Sequence, residues 1–371
     1  MPYIYENSGW PNFTWQEKPV HDLLLALRHR QGRVLGRMEG LGFELQAEAQ
    51  LQALTLEVVK STEIEGEILS TDQVRSSLAR RLGMDIPGLV PADRHIDGVV
   101  EMMLDATQRF DQRLTKERLF GWQAALFPTG YSGMYRINVG SWRKKEGDPM
   151  QVVSGPMGRE TVHYQAPPAE TLETEMDAFL NWLESGRMQD PVLKAAIAHL
   201  WFVTLHPFDD GNGRIARAIT DLQLARADGS PARFYSMSAQ IRKERKTYYE
   251  MLERTQKGPL DITPWIKWFL ECLERALAAT DEILAHVLAK ARFWNTHGTT
   301  ALNERQIKLL NRLLDGFEGK LTSGKWAKIA RCSPDTALRD IQDLLSKGIL
   351  VKETSGGRST GYLINNPVQS R

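Results

Sequence analysis

The run His206-Pro207-Phe208-Asp209-Asp210-Gly211-Asn212-Gly213-Arg214-Ile215-Ala216-Arg217 joins an apolar segment to an amphipathic one. Upstream, Asp190 to Leu205 reads as a buried helix that delivers His206 to a turn. Gly211 and Gly213 let the backbone come close to a ligand. Helical spacing resumes after Gly213, so the N–H groups of the turn lie at a helix N-terminus, which attracts anions. Arg214 and Arg217 are three apart and share a helix face, and their guanidinium forks match phosphate oxygens. Asp210 is a hard oxygen ligand suited to Mg²⁺. His206 is a base near neutral pH. Alone, each feature is common in structural roles: a lone His is usually structural, Gly-Asn-Gly is usually a turn, and paired arginines are usually a solvated face. All of them within twelve residues point to a nucleotide-phosphate site with a metal and a base.

Working outward, the opening holds Tyr5, Trp10, Phe13 and Trp15 among Pro11 and Pro19, which predicts an extended arm laid on a core. His21 to Leu82 is helical. Leu23, Leu24 and Leu27 share one face, and Leu51, Leu54, Val58 and Val59 another. Ser70-Thr71-Asp72-Gln73 offers a capping box, and Gly83 ends the helix it starts. Pro87 and Pro91 mark a boundary. A second helical block runs from about Arg94 to Leu126. Gln151-Val152-Val153-Ser154 and Thr161-Val162-His163-Tyr164 flank Gly155-Pro156-Met157-Gly158 as a β-hairpin. Helices resume at Ala169 and continue to about His297. From Thr300, three helices and a hairpin around Gly356-Gly357 give the order of a winged helix-turn-helix. The expected division is 1–90 for the arm and helical segment, 91–298 for the core with hairpin and helical extension, and 299–371 for the winged helix.

Composition narrows the class. The 371 residues carry 47 Lys+Arg against 46 Asp+Glu, a net charge of +1, with 42% hydrophobic and 25% charged residues. Those are the proportions of a soluble globular chain of two or three domains. The near-neutral balance argues against nucleic-acid binding by bulk charge. Two cysteines, Cys272 and Cys332, exclude a disulfide framework and a four-cysteine zinc site, which fits a cytoplasmic setting. No basic start with an apolar stretch suggests a signal peptide, and no apolar run reaches the ~20 residues of a membrane span.

The His206–Arg217 stretch resembles the Fic family motif, His-x-Phe-x-Asp/Glu-Gly-Asn-Gly-Arg-x-x-Arg, at every defined position. The resemblance extends to the helical segment, the hairpin or "flap", the core and the C-terminal winged helix. It implies a mainly α fold: a Fic-type helical core with a β-hairpin flap, plus a winged helix-turn-helix. It also implies a protein adenylyltransferase that moves AMP from ATP to a Tyr, Thr or Ser hydroxyl. By the same resemblance, His206 takes the hydroxyl proton and Phe208 anchors the loop. Asp210 binds Mg²⁺, and Gly211, Asn212, Gly213, Arg214 and Arg217 hold the phosphates. Gln151, Val152, Val153 and Ser154 of the flap dock the target by main-chain hydrogen bonds. Tyr248 and Tyr249, with Gln256, lie near the adenine, although tyrosines at helical spacing are as often core. Ser61-Thr62-Glu63-Ile64-Glu65-Gly66 is similar to the family's inhibitory helix motif, with Ser61, Glu65 and Gly66 at its defined positions and Glu65 paired to Arg217. Without the Fic motif, Glu63, Glu65 and Glu67 would read as a solvated acidic face.

The expected partner is a protein with a hydroxyl side chain, the chain itself included, and the homo-oligomeric state is left open. The winged helix supplies a rival function. Residues 301–365 hold eleven Lys/Arg and seven Asp/Glu, with Thr336, Arg339 and Gln342 on the expected recognition helix and Arg358 in the wing. DNA contact through that helix would make the chain a regulator with a nucleotide-sensing Fic core. A third alternative keeps the chemistry and reverses it, removing AMP from a modified protein.

Overall fold

The computed structural model describes residues 2–86, 88–144, 149–155, 159–185, 190–314, 319–353 and 360–365. The fold is mainly helical, as expected. The N-terminal block is α1 (Glu17–Glu39), α2 (Phe43–Ile64) and α3 (Thr71–Arg81). Ser70 stands at the start of α3, but its hydroxyl accepts no backbone N–H, so the expected capping box is not formed. Next come α4 (Arg94–Gln108) and α5 (Lys116–Leu126). Both are capped by side chains: Asp93 accepts from the Ile96 N–H at 2.9 Å and Thr115 from the Arg118 N–H at 3.2 Å.

A small hairpin, β1 (Tyr131–Ser132) and β2 (Tyr135–Arg136), follows, and no pattern of residues announces it. The expected hairpin is β3 (Gln151–Ser154) and β4 (Thr161–Gln165). The two strands are antiparallel, with Val152 opposite Tyr164, Val153 opposite Val162 and a bulge between the two valines. Residues 156–158 of its turn lie outside the described residues.

The helices that follow are α6 (Leu172–Glu184), α7 (Pro191–Leu205), α8 (Asn212–Asp228), α9 (Met237–Lys243), α10 (Arg245–Gln256), α11 (Thr263–Ala278) and α12 (Thr280–His297), the last of which belongs from Glu282 onward to the second unit described below. The centre is α7. Asp190 caps it by accepting from the Val192 N–H at 2.8 Å, and Pro191 opens it where no N–H is needed. Every residue of α7 from Ala195 to Leu205 is buried, against the equally buried inner face of α8. Burying each large apolar side chain contributes about 1.5–3 kcal/mol before entropy is counted. The arm is laid on this core as expected. Trp10 and Phe13 meet Trp201 edge-on at 5.9 and 5.7 Å, and Tyr3 meets Tyr164 of β4 at 5.2 Å.

By contacts, residues 1–83 and 91–281 make one compact unit, and 84–90 and 282–371 a second. The second holds α13 (Glu304–Leu314), α14 (Ser323–Ala330), α15 (Pro334–Ser346), β5 (Leu350–Lys352) and β6 (Tyr362–Ile364). Leu309, Leu310, Trp326, Ile341, Leu344 and Ile349 form its buried core. On α15, Arg339 and Gln342 are exposed, while Thr336 is partly covered and its N–H donates to the Ser333 hydroxyl. Gly356, Gly357 and Arg358 lie outside the described residues. Among the described residues no helix is long and apolar enough to cross a membrane.

Candidate active site

His206 ends α7 in the left-handed region, at φ 49° and ψ 55°. That conformation is uncommon for a residue with a Cβ and persists only where the surroundings fix it. Arg143 supplies the fixing. Its Nε donates to the His206 carbonyl at 2.9 Å, its backbone N–H to the Pro207 carbonyl at 2.8 Å, and its fork to the Pro167 carbonyl. Phe208 is fully buried, its ring 5.1 Å from that of Trp142, and anchors the loop as expected. Asp209 accepts from the backbone and side-chain amides of Asn138, both at 2.8 Å.

Asn212 departs from its expected role. Its side-chain oxygen accepts from the Phe208 N–H at 2.9 Å and its amide donates to the Phe208 carbonyl at 2.8 Å. It is buried, and it braces the loop instead of reaching for phosphates. The physical reason is the four-residue return of the chain, which brings Phe208 within reach of the first residue of α8.

The His206 Nδ1 lies 3.4 Å from the Val203 carbonyl, which places the ring proton on Nδ1 and leaves Nε2 to act as base. Burial pulls the imidazole down to about 4, helped by the Arg143 charge, so the ring is neutral near pH 7.

The anion site lies at the first turn of α8. Gly211 sits at φ 90°. A Cβ on Gly213 would lie 2.2 Å from Oε1 of Glu65, so the Glu65 carboxylate rests directly on the helix N-terminus. Arg217 is 2% exposed. Its Nε donates to the Ser61 hydroxyl at 2.8 Å, and one Nη to the Ser61 carbonyl at 2.8 Å and to Glu65 at 2.7 Å. The other Nη is buried with no hydrogen-bond partner among the described residues. Gly66 makes the turn after α2 at φ 90°, where a Cβ would be strained. Ser61 and Glu65 thus meet Arg217, and Gly66 forms the turn that follows Glu65.

Arg214 is 5% exposed, lies over the Phe127 ring at 5.1 Å and donates to Glu67 at 3.4 Å. Asp210 accepts from the Gly211 N–H at 2.5 Å and meets the Ser132 hydroxyl. Among the described residues no group of three or more His, Cys, Asp or Glu could cage a metal. Mg²⁺ takes one or two carboxylates and completes its shell with water and phosphate oxygens, so Asp210 fits that role beside a nucleotide.

A cleft of about 900 Å³ opens over this turn, lined by His206, Gly213, Glu65 and Tyr249 and by Val152, Val153 and Ser154 of the flap. Gln151 is exposed and hydrogen-bonds Gln165 instead. Two flap anchors were invisible in the sequence. His163 holds Glu253 of α10 at 2.8 Å and Ser154 at 2.6 Å, and the Tyr164 hydroxyl donates to the Thr204 carbonyl at 2.8 Å. The tyrosines of α10 divide. Tyr248 is a core residue, 1% exposed, its hydroxyl 2.8 Å from Nε2 of the buried His199. Tyr249 is partly open, with its hydroxyl 3.5 Å from Glu65 and its ring under Arg245. Gln256 is buried and donates weakly to Thr204.

A family model described as Fic/DOC family matches residues 113–224, and one described as a domain of unknown function, DUF4172, matches residues 3–84. A Protein adenylyltransferase Fic of Nematostella vectensis is 40% identical over 118 residues, 30% of this chain and 25% of that protein. One of Aedes aegypti is 26% identical over 283 residues, 70% of this chain and 51% of that protein. The chain therefore spans between a quarter and about half of the length of these relatives. A solved Fic family protein from Desulfovibrio desulfuricans G20 has the same fold, with a TM-score of 0.50 at 20% identity over 92% of this chain and 95% of that one.

Proposed function

This chain is a Fic family protein, and on that premise we propose that it transfers AMP from ATP to a Tyr, Thr or Ser hydroxyl of a protein and that Glu65 holds it inhibited. The observation that carries this reading is the Glu65 carboxylate, which occupies the N-terminus of α8 and the Arg217 fork together. A carboxylate in that place stands where a phosphate of the nucleotide would bind. His206, neutral and fixed by Arg143, accepts the proton of the target hydroxyl at Nε2. The hydroxyl oxygen bonds to the α-phosphorus, the bond to the bridging oxygen breaks, and pyrophosphate leaves. Arg214 and Arg217 neutralise the β- and γ-phosphates, and the N–H groups of the α8 turn orient them. Mg²⁺ at Asp210 would screen the phosphate charge. Positioning and charge stabilisation supply most of the rate. The edge of the flap strands holds an extended target segment by main-chain hydrogen bonds.

The test is intact mass after incubation with Mg·ATP. Glu65→Gly is expected to gain AMP and the wild type to gain little or none. Adding His206→Ala to Glu65→Gly should remove the gain. No gain in Glu65→Gly, or a gain that survives His206→Ala, would overturn the reading. An enzyme that removes AMP would instead need Glu65 for turnover.

A further inference from the structure

Glu67 follows Gly66, one residue past the turn that carries Glu65. Its Oε2 accepts from Nη1 of Arg214 at 3.4 Å, and its Oε1 lies 2.7 Å from Nε2 of His95. His95 is fixed in turn, its Nδ1 3.2 Å from the Leu126 carbonyl. One short turn therefore sends a carboxylate to each arginine of the motif: Glu65 to Arg217 and Glu67 to Arg214. We propose that Glu67 is a second acidic group set against the phosphate site, acting on Arg214, and that it determines which nucleotide binds by disfavouring those whose β- and γ-phosphates reach Arg214. This inference rests on the nucleotide-binding half of the reading above and not on AMP transfer.

Three observations support it. Arg214 is nearly buried while Glu67 is half-exposed, so the carboxylate comes to a fixed cation from the solvent side. The buried Nε of Arg214 has no hydrogen-bond partner among the described residues, so the fork has a donor left to give. The contact to Arg214 is long and the contact to His95 short. Glu67 is therefore shared between them, and His95 draws it part of the way off the arginine. His95 and Arg214 hold the Glu67 carboxyl below the usual carboxylate range, so it is charged wherever nucleotide would bind. A fixed negative charge beside the arginine opposes a triphosphate more than a monophosphate, because only the longer chain reaches it. The rival role is the reverse, with Glu67 orienting Arg214 for phosphate. The two roles predict opposite signs.

Calorimetric titration of the full-length chain with ATP, ADP and AMP in the presence of Mg²⁺ separates them. In Glu67→Gln, affinity for ATP and ADP is expected to rise about fivefold, with AMP within twofold of wild type. In His95→Ala, Glu67 is free to settle on Arg214, and ATP affinity should fall. The double variant should return to the Glu67→Gln level. Retained helical circular dichroism shows that each variant is folded, and the rise expected for Glu67→Gln, restored in the double variant, is a change that simple loss of structure would not produce. Weaker or unchanged ATP binding in Glu67→Gln, or an equal gain for all three nucleotides, would overturn the proposal and leave AMP transfer standing. Absence of nucleotide binding in every variant would remove both.

Discussion

The His206 ring is neutral near pH 7, and its surroundings explain why. Burial and the Arg143 charge pull the imidazole down to about 4, so it can accept a proton across the neutral range. Transfer by Glu65→Gly should be flat between pH 6 and 8 in a stopped assay and fall only as pH drops toward about 4. In that same background, His206→Ala should cost about 10²–10⁴-fold in transfer while calorimetric ATP affinity stays close to its parent. On the proposed reading Glu65 acts through its 2.7 Å pair with Arg217, so adding Arg217→Ala to Glu65→Gly should cancel the gain. Glu63 is the control. It pairs with Lys60 at 2.6 Å and Arg242 at 3.1 Å, away from the motif arginines, and Glu63→Gly should label like the wild type. At this scale spacing carried much of the information. Ser61, Glu65 and Gly66 were legible because their motif fixes their order. Tyr248 was not, because adjacent tyrosines on a helix show no sign of which one turns inward.

Between elements, α2, α8 and α9 are bound by a buried charge network. Glu57 of α2 accepts from the Ser236 hydroxyl at 2.7 Å and the Ser238 N–H at 3.0 Å. Asp221 of α8 lies 2.7 Å from Arg233, both groups 2% exposed. Burial and the neighbouring Glu57 carboxylate push Asp221 above the usual carboxylate range. Arg233→Ala leaves two acids together without their cation, so it should cost about 3–5 kcal/mol and lower the melting temperature by roughly 10 °C. Scanning calorimetry checks this, and a melting point within 2 °C of wild type would count against the network as a fastener. Arg143 is the comparable device for the catalytic loop. Arg143→Ala in the Glu65→Gly background should lower kcat of AMP transfer at least tenfold with little change in KM for ATP, because it fixes the His206 backbone and touches no phosphate site. A lone arginine in a loop carries no periodic signal, so the sequence was silent on it. It was equally silent on β1 and β2, whose strands are two residues each. The long apolar run of α7 declared itself, and so did the alternation in β3 and β4.

Over the whole core, the mainly helical fold was legible because most of its elements are long and periodic. The contacts made across the chain were not, because they depend on residues that only folding brings together. His199 is the central example. It stands inside α7, where the sequence shows an interruption in an apolar run. Folding places its Nδ1 2.8 Å from Thr220 of α8 and its Nε2 2.8 Å from Tyr248 of α10, so one ring joins three helices. Burial, helped by the Arg217 charge, pushes this imidazole down to about 3 from an ordinary value of 6.5. The folded protein therefore refuses a proton that the unfolded chain accepts below pH 6.5. Stability supplied by neutral His199 is fully present above pH 6.5 and is lost as pH falls from there toward 3. Asp221 and Asp228, both raised, work in the opposite sense, so the pH slope of the wild type alone does not isolate His199. A difference does. His199→Gln removes the titrating ring, so it should destabilise the protein at pH 7.5, and that penalty should shrink by up to about 1.4 kcal/mol per pH unit below 6.5. Urea midpoints of both proteins at pH 7.5, 6.0 and 5.0 give the difference. A gap that stays constant across the three would mean that His199 takes up its proton without penalty in the folded core, against its buried position between Thr220 and Tyr248.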